Sequence, residues 1–148
     1  MTPHAAPAAD RVPLFAYGTL MHGHGNHALV ESAVESVEPA VLPGAAMYDA
    51  GPYPYVLLGA AASVRGELVH LRADIHRTAL AALDELEGYI GPKDPANDYE
   101  RLMCTVLTDD GMNVRALVYV ASAAVEPRVR QMPLVPRGDW DAHMAAQP

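Results

Sequence analysis

"YERLMCTVLTDDGMNVRALVYVAS", residues 99–122, decides how the rest of the chain is read. Two apolar runs flank Asp109-Asp110-Gly111. Asp-Gly between such runs signals a hairpin, because both residues tolerate the positive φ that a tight turn between twisted strands requires. Val114, Ala116, Val118 and Val120 alternate along the second run, so one face of that strand is apolar. A hairpin is antiparallel, and antiparallel pairing needs no crossover helix.

Upstream, "VPLFAY" (12–17) reads as a short buried strand. "AVLPGAAMYDAG" (40–51) reads as an irregular strand ending near Gly51, "PYPYVLLG" (52–59) as an edge strand or strap, and "SVRGELVHL" (63–71) as a further strand. Two helices are expected. One runs from about 27 to 36, capped by Asn26, with Val30, Ala33, Val34 and Val37 at helical spacing. The other runs from about 75 to 87, capped by Asp74. Ile75, Ala79, Leu80, Leu83 and Leu86 form its apolar face, and Gly88 is its left-handed stop. From about Ala124 the chain is Pro-rich and irregular up to "GDW" (138–140). The order strand, helix, several strands, helix, hairpin lacks βαβα alternation. It predicts an α+β domain: a small, mostly antiparallel, barrel-like sheet of about 5–7 strands with two main helices. The expected division is a leader (1–11), one domain (12–140) and a tail (141–148).

With 148 residues, 51% of them hydrophobic, the chain can bury a real core. The net charge of −8 argues against nucleic acid, whose phosphates favour basic surfaces, but does not exclude a small anionic ligand in a local pocket. No apolar run approaches the ~20 residues of a membrane span. "MTPHAAPAADR" lacks the basic start and apolar stretch of a signal peptide, so a cytoplasmic protein without membrane partners is expected. Cys104, the single cysteine, excludes an internal disulfide and a Cys-rich metal site.

"FAYGTLMHGHGNHALV" (15–30) allows three functional readings. His22, His24 and His27 could bind a metal, but the first two fall in a Gly-flanked loop and no carboxylate–His pairing supports them, so no metal is expected. Gly23-x-Gly25-x-x-Ala28 has the outline of a dinucleotide loop, with Asp49 at a tempting distance for a ribose contact. Yet Gly23 lies well past the strand end and no further βα units follow, so no cofactor is expected. The third reading is Tyr17-Gly18-Thr19-Leu20, a turn where glycine lets a ligand approach the backbone and exposed N–H groups can hold a carboxylate or oxyanion.

A second element comes from "ALAALDELEGY" (79–89). At about 100° per residue, Asp84 and Glu85 fall off the apolar stripe, whereas Glu87 falls about 40° from Leu83, toward the protein. Burial and the negative end of the helix dipole both disfavour its ionised form, which tunes such an acid toward proton transfer. The structural alternative is a Glu87 satisfied by Arg101 or a backbone amide.

"FAYGTL", "G-x-x-N-H" (23–27), "G-x-Y-P" (51–54), "V-x-G-E-L" (64–68), "LDELEGY" (83–89), "Y-x-R" (99–101), "ALVYV" (116–120) and "GDW" occur in order. As a set this resembles the γ-glutamylcyclotransferase superfamily, including its AIG2-like and γ-glutamylamine cyclotransferase branches, over roughly residues 12–140. The resemblance implies a γ-glutamylcyclotransferase-like fold and an enzyme that cleaves a γ-glutamyl amide. The substrate's α-amine attacks its own γ-carbonyl, releasing 5-oxoproline and a free amine or amino acid. It implies that Glu87 is the catalytic base and acid and that Tyr17, Gly18, Thr19 and Leu20 bind the glutamyl group. Tyr99 and Arg101 match positions near the pocket, Tyr53 and Tyr55 are candidates for its wall, and Cys104 is a core residue. Met21-His22 stands where relatives often carry Lys-Arg, so the acceptor side of the site departs from theirs. The implied partner is a small γ-glutamyl substrate, and the chain is expected to be a monomer or homodimer. The competing reading is a catalytically silent family member that binds a small ligand or protein partner.

Overall fold

Residues 12–18 and 31–147 are described in the computed structural model of the protein. Among them, β1 (Leu14–Ala16), β2 (Val34–Asp49), β3 (Pro54–Leu71), β4 (Tyr99–Thr108) and β5 (Asn113–Ala121) close into a barrel in the order β1-β3-β2-β4-β5. Every pair is antiparallel except the closure, where Leu14 of β1 lies parallel to Leu117 of β5 and the Leu117 N–H donates to the Pro13 carbonyl at 2.9 Å. The expected α+β, mostly antiparallel barrel is therefore present. The β4–β5 hairpin turns at Asp109–Gly111, with Gly111 at φ +87°.

The two short runs expected at 52–59 and 63–71 are one strand, β3. Its register against β2 jumps between Pro43↔Ser63 and Ala45↔Leu58, so residues 59–62 bulge outward opposite Gly44. Gly44 and Gly59 take the positive φ values this needs. A bulge sharpens local twist and bends a long strand pair into a closed barrel.

The helix expected at 27–36 is not formed in its described part; positions 27–30, with Asn26, lie outside the described residues. Glu31–Ala33 make one 3-10 turn and Val34 already opens β2. The β-branched Val34, Val37 and Val41 lie in β2, paired to β3, and that pairing overrides helical spacing.

The second helix, α1 (His76–Leu86), follows a 3-10 turn at Ala73–Ile75. Asp74 does not cap it; its carboxylate binds Arg72 at 2.8 Å instead. The buried His76 ring meets the Val12 carbonyl at 2.8 Å and ties the helix start to the strand-β1 segment. Ala79 and Leu83 fill the core side, and a fully buried leucine contributes about 2 kcal/mol. Gly88 ends the helix at φ +65°.

The Pro-rich C-terminal region is folded. The one-turn helix α2 (Glu126–Val129) leads to residues 133–135, which pair with the end of β2 through Asp49 N–H to Pro133 O at 2.8 Å and Val135 N–H to Met47 O at 2.9 Å. A further helix, α3 (Trp140–Ala145), is capped by Asp139 and seats Trp140 in the core at 2% exposure.

Candidate functional site

The chain leaves β1 at Tyr17-Gly18. A Cβ on Gly18 would sit 2.8 Å from the Pro54 ring, so only glycine lets the backbone pass there. Tyr17 is buried, and its hydroxyl donates to the Tyr119 carbonyl. Burial, more than the charge of Glu87, holds that phenol well above its ordinary range.

At the end of α1, Leu86 and Glu87 face the same space. The loop after Gly88 returns because Asn97 organises it. Its side chain accepts from Ile90 N–H and donates to the Gly91 carbonyl, both at 2.7 Å, and its own carbonyl receives the Ser122 hydroxyl at 2.7 Å. Asp98 then donates its N–H to the Gly88 carbonyl at 3.0 Å, which brings a second carboxylate beside the helix end.

These pieces enclose a cleft of about 280 Å³. Among the described residues its walls are Tyr17, Gly18, Tyr53, Pro54, Leu86, Glu87, Asp98, Tyr99 and Tyr119, with Phe15 and Ala16 at its base. Burial pushes the Glu87 carboxyl up to about 7, and the negative charge of Asp98 adds to the shift. Tyr99 donates to the Pro54 carbonyl at 2.9 Å and Tyr119 to Asp84 Oδ1 at 2.6 Å, and burial raises both phenols far out of the physiological range. The cleft thus combines one carboxyl poised near neutrality with the Asp98 side chain and the buried phenols of Tyr17, Tyr99 and Tyr119.

Of the residues expected to bind or react, Tyr17, Gly18, Glu87 and Tyr99 meet at this cleft. Thr19 and Leu20 lie outside the described residues, as do His22, His24 and His27. Tyr55 is not in the wall. It lies buried behind it, stacked on Tyr99 with ring centroids 4.7 Å apart, and donates its hydroxyl to Asp98 Oδ1 at 2.7 Å. Tyr53 takes the wall position.

Arg101 is also not brought to the cleft. Its guanidinium binds Asp84 Oδ2 at 2.5 Å and lies 5.0 Å over the Tyr89 ring, so it pairs with Asp84 and not with Glu87. Asp84, which falls off the apolar stripe, is mostly buried between Arg101 and Tyr119. Asp98 and Tyr119 also line the cleft, and the sequence patterns single out neither. Tyr119 is buried on the alternate face of β5, opposite the apolar valines, and Asp98 depends on a loop return that local patterns do not reveal. Cys104 is half-buried in β4 and lines no part of the cleft. Among the described residues no three His, Cys, Asp or Glu side chains converge as metal ligands, and no helix is long and apolar enough to cross a membrane.

A family profile for "Gamma-glutamyl cyclotransferase, AIG2-like" matches residues 14–142. The chain is 33% identical over 101 residues to the gamma-L-glutamyl-butirosin B gamma-glutamyl cyclotransferase of Niallia circulans; the match spans 68% of this chain and 62% of that protein, under two thirds of its length. The fold is similar to an AIG2-like protein of Mus musculus (TM-score 0.67, 23% identity, 89% of each chain). It is also similar to YkqA of Bacillus subtilis (TM-score 0.67, 24% identity, 90% of this chain and 41% of that one). With a profile covering nearly the whole sequence and a curated relative at this identity, the chain belongs to the AIG2-like gamma-glutamyl cyclotransferase family.

Proposed function

We propose that the protein is a lyase that cyclises a γ-glutamyl amide to 5-oxoproline, with Glu87 as the base and acid. The observation that carries this reading is a carboxyl raised to about 7, in one cleft with the glycine turn that leaves β1. Near neutrality such a group is present in both forms, as a residue that accepts and then returns one proton must be.

Glu87 takes one proton from the substrate's α-ammonium. The freed nitrogen attacks the γ-carbonyl carbon, a C–N bond closes the five-membered ring, and the carbonyl electron pair becomes an oxyanion. Collapse of that oxyanion breaks the bond to the leaving nitrogen, which receives this proton from Glu87. The ring nitrogen then gives up its second proton, which Glu87 passes to the departing amine, so the lactam keeps one N–H and the amine leaves as an ammonium. The attack is intramolecular, so holding the glutamyl chain folded supplies much of the rate. The family motif Tyr17-Gly18-Thr19-Leu20 binds the glutamyl end, its backbone N–H groups receiving the α-carboxylate. Tyr99 fills the wall beside the chain. The Niallia circulans relative is named for a γ-glutamylated butirosin, and we extend to this protein only the γ-glutamyl half of that description.

Incubation with a panel of γ-glutamyl dipeptides and γ-glutamyl amines tests the reading. Release of 5-oxoproline is expected, with loss of release in Glu87→Gln. No release across the panel, with γ-glutamyl compounds still bound, would instead mark a silent binding member of the family.

A further inference from the structure

We infer that Asp98 holds the substrate's α-ammonium group and makes the cleft selective for it. The inference rests on the γ-glutamyl reading above and assigns to that site a residue outside the sequence motifs.

Asp98 lines the same cleft as Glu87 and is fixed from three directions. Its N–H donates to the Gly88 carbonyl at 3.0 Å, one residue past Glu87, and its carbonyl receives the Ser122 N–H at 3.2 Å. Its carboxylate receives the Tyr55 hydroxyl at 2.7 Å. Tyr55 is 1% exposed, stacked on Tyr99 and in edge-to-face contact with Tyr53, so this anchor is itself rigid. A carboxylate offers about four lone-pair sites, and one phenol leaves the rest of that capacity for the cleft.

A fixed acceptor beside the base does two things for this chemistry. It attracts a cationic nitrogen to the place where Glu87 can deprotonate it. It also keeps an N–H of the nitrogen directed at Asp98 after the first proton has left. The lone pair then forms on the Glu87 side, where the same proton must later be delivered to the leaving nitrogen. The negative charge also supports the raised pKa of Glu87, which keeps that residue basic enough for the first step.

The test compares L-glutamate with L-2-hydroxyglutarate, which carries a hydroxyl in place of the ammonium. Both are measured as competitive inhibitors of 5-oxoproline release and by titration calorimetry, at pH 6, where Glu87 is mostly protonated. Wild type is expected to prefer glutamate by about tenfold or more, the worth of one charge-assisted hydrogen bond. Asp98→Asn, which keeps an acceptor for Tyr55, is expected to bring the ratio close to one. If Asn destabilises the loop, Tyr55→Phe is the second variant, expected to lower the ratio two- to threefold by releasing the carboxylate from its anchor. A wild type that turns over γ-glutamyl amides, with the preference intact in both variants, overturns the role of Asp98 and leaves the proposed function standing. A wild type that neither releases 5-oxoproline nor binds either diacid overturns the proposed function itself, and the role of Asp98 with it.

Discussion

The Tyr119 hydroxyl donates to Asp84 Oδ1 at 2.6 Å, and Arg101 occupies the other oxygen of the same carboxylate at 2.5 Å. Tyr119 and Arg101 face each other across the β4–β5 pair, so one helix carboxylate pins α1 to both strands of the hairpin one turn before Glu87. The Tyr17 hydroxyl on the Tyr119 carbonyl extends the brace to the exit of β1. The exit of β1, the end of α1 and the β4–β5 hairpin are therefore joined through Tyr119.

Arg101 follows from that arrangement as a bracing residue. Its pair with Asp84 is about three-quarters buried on each side, so removing the guanidinium strands part of a carboxylate. Arg101→Met is expected to lower unfolding free energy by about 1–2 kcal/mol in urea titration, while KM for a γ-glutamyl substrate changes less than about twofold. A tenfold rise in KM at unchanged stability would return Arg101 to the substrate-contacting set.

Glu87 sets opposite demands on stability and activity. Its carboxyl is raised from 4.5 to about 7 in the folded state, so the folded chain binds this proton more tightly than the unfolded chain. Stability from this group is then fully present below pH 4.5 and is lost as pH rises through 7. At pH 8, Glu87→Gln is expected to be more stable than wild type by about 2 kcal/mol, with the pH slope between 5 and 7 removed. The same substitution should reduce kcat/KM by about 10²–10⁴. Wild-type kcat/KM should rise with pH through about 7 as the base ionises, and Asp98→Asn should move that midpoint downward, since the Asp98 charge is the second cause of the shift.

What could be read in advance was whatever rests on local periodicity. The β4–β5 hairpin, the Ala79–Leu83 core side of α1 and its Gly88 stop each depend on neighbours in sequence. Glu87 is aimed from its helical angle alone, whereas Leu86, expected on the same core face, is exposed at the cleft. What could not be read depends on long-range pairing. Val34 and Val37 fit a helix equally well until β3 is available to pair with them. Asp84 fits solvent, and Arg101 fits the pocket or a pair with Glu87, until the fold brings the two together. Asp98 enters the site only because Asn97 turns the loop back onto Gly88, a contact that leaves no repeat in the sequence.

Gly66 tests the barrel closure. A Cβ there would lie 2.3 Å from the Ala16 carbonyl oxygen and 2.8 Å from the Phe15 ring. With β1 only three residues long, it cannot shift without losing its pairing. Gly66→Ala is expected to destabilise by about 3 kcal/mol or more, from overpacking against backbone. Gly59→Ala meets open space but a φ of +84°, and should cost about 1 kcal/mol. Gly91→Ala meets open space with no positive φ and should be close to neutral. Chemical unfolding of the three variants checks the ranking; near-equal effects would mean that β1 is not held as tightly as the Ala16–Gly66 approach requires.

The C-terminal helix is fastened at a second polar point, where the His143 ring meets Asp49 Oδ2 at 2.8 Å and the Gly51 N–H donates to Asp49 Oδ1 at 2.6 Å. The hydrogen bond to His143 is the main cause that holds the Asp49 carboxyl below its ordinary value. A carboxylate with a depressed folded-state pKa contributes stability above its unfolded value near 3.8, and that stability is lost as pH falls through the folded value. Asp49→Asn should therefore cost about 1 kcal/mol at pH 6 and progressively less below pH 4. His143→Ala should raise the Asp49 pKa, as read by carboxyl NMR titration, and loosen α3, as read by faster amide exchange at His143–Ala146. Because Asp49 begins the turn that carries Tyr53 to the cleft wall, the same variant should also weaken binding of the γ-glutamyl substrate by about two- to threefold. Unchanged binding with faster exchange would confine the Asp49–His143 pair to holding the helix.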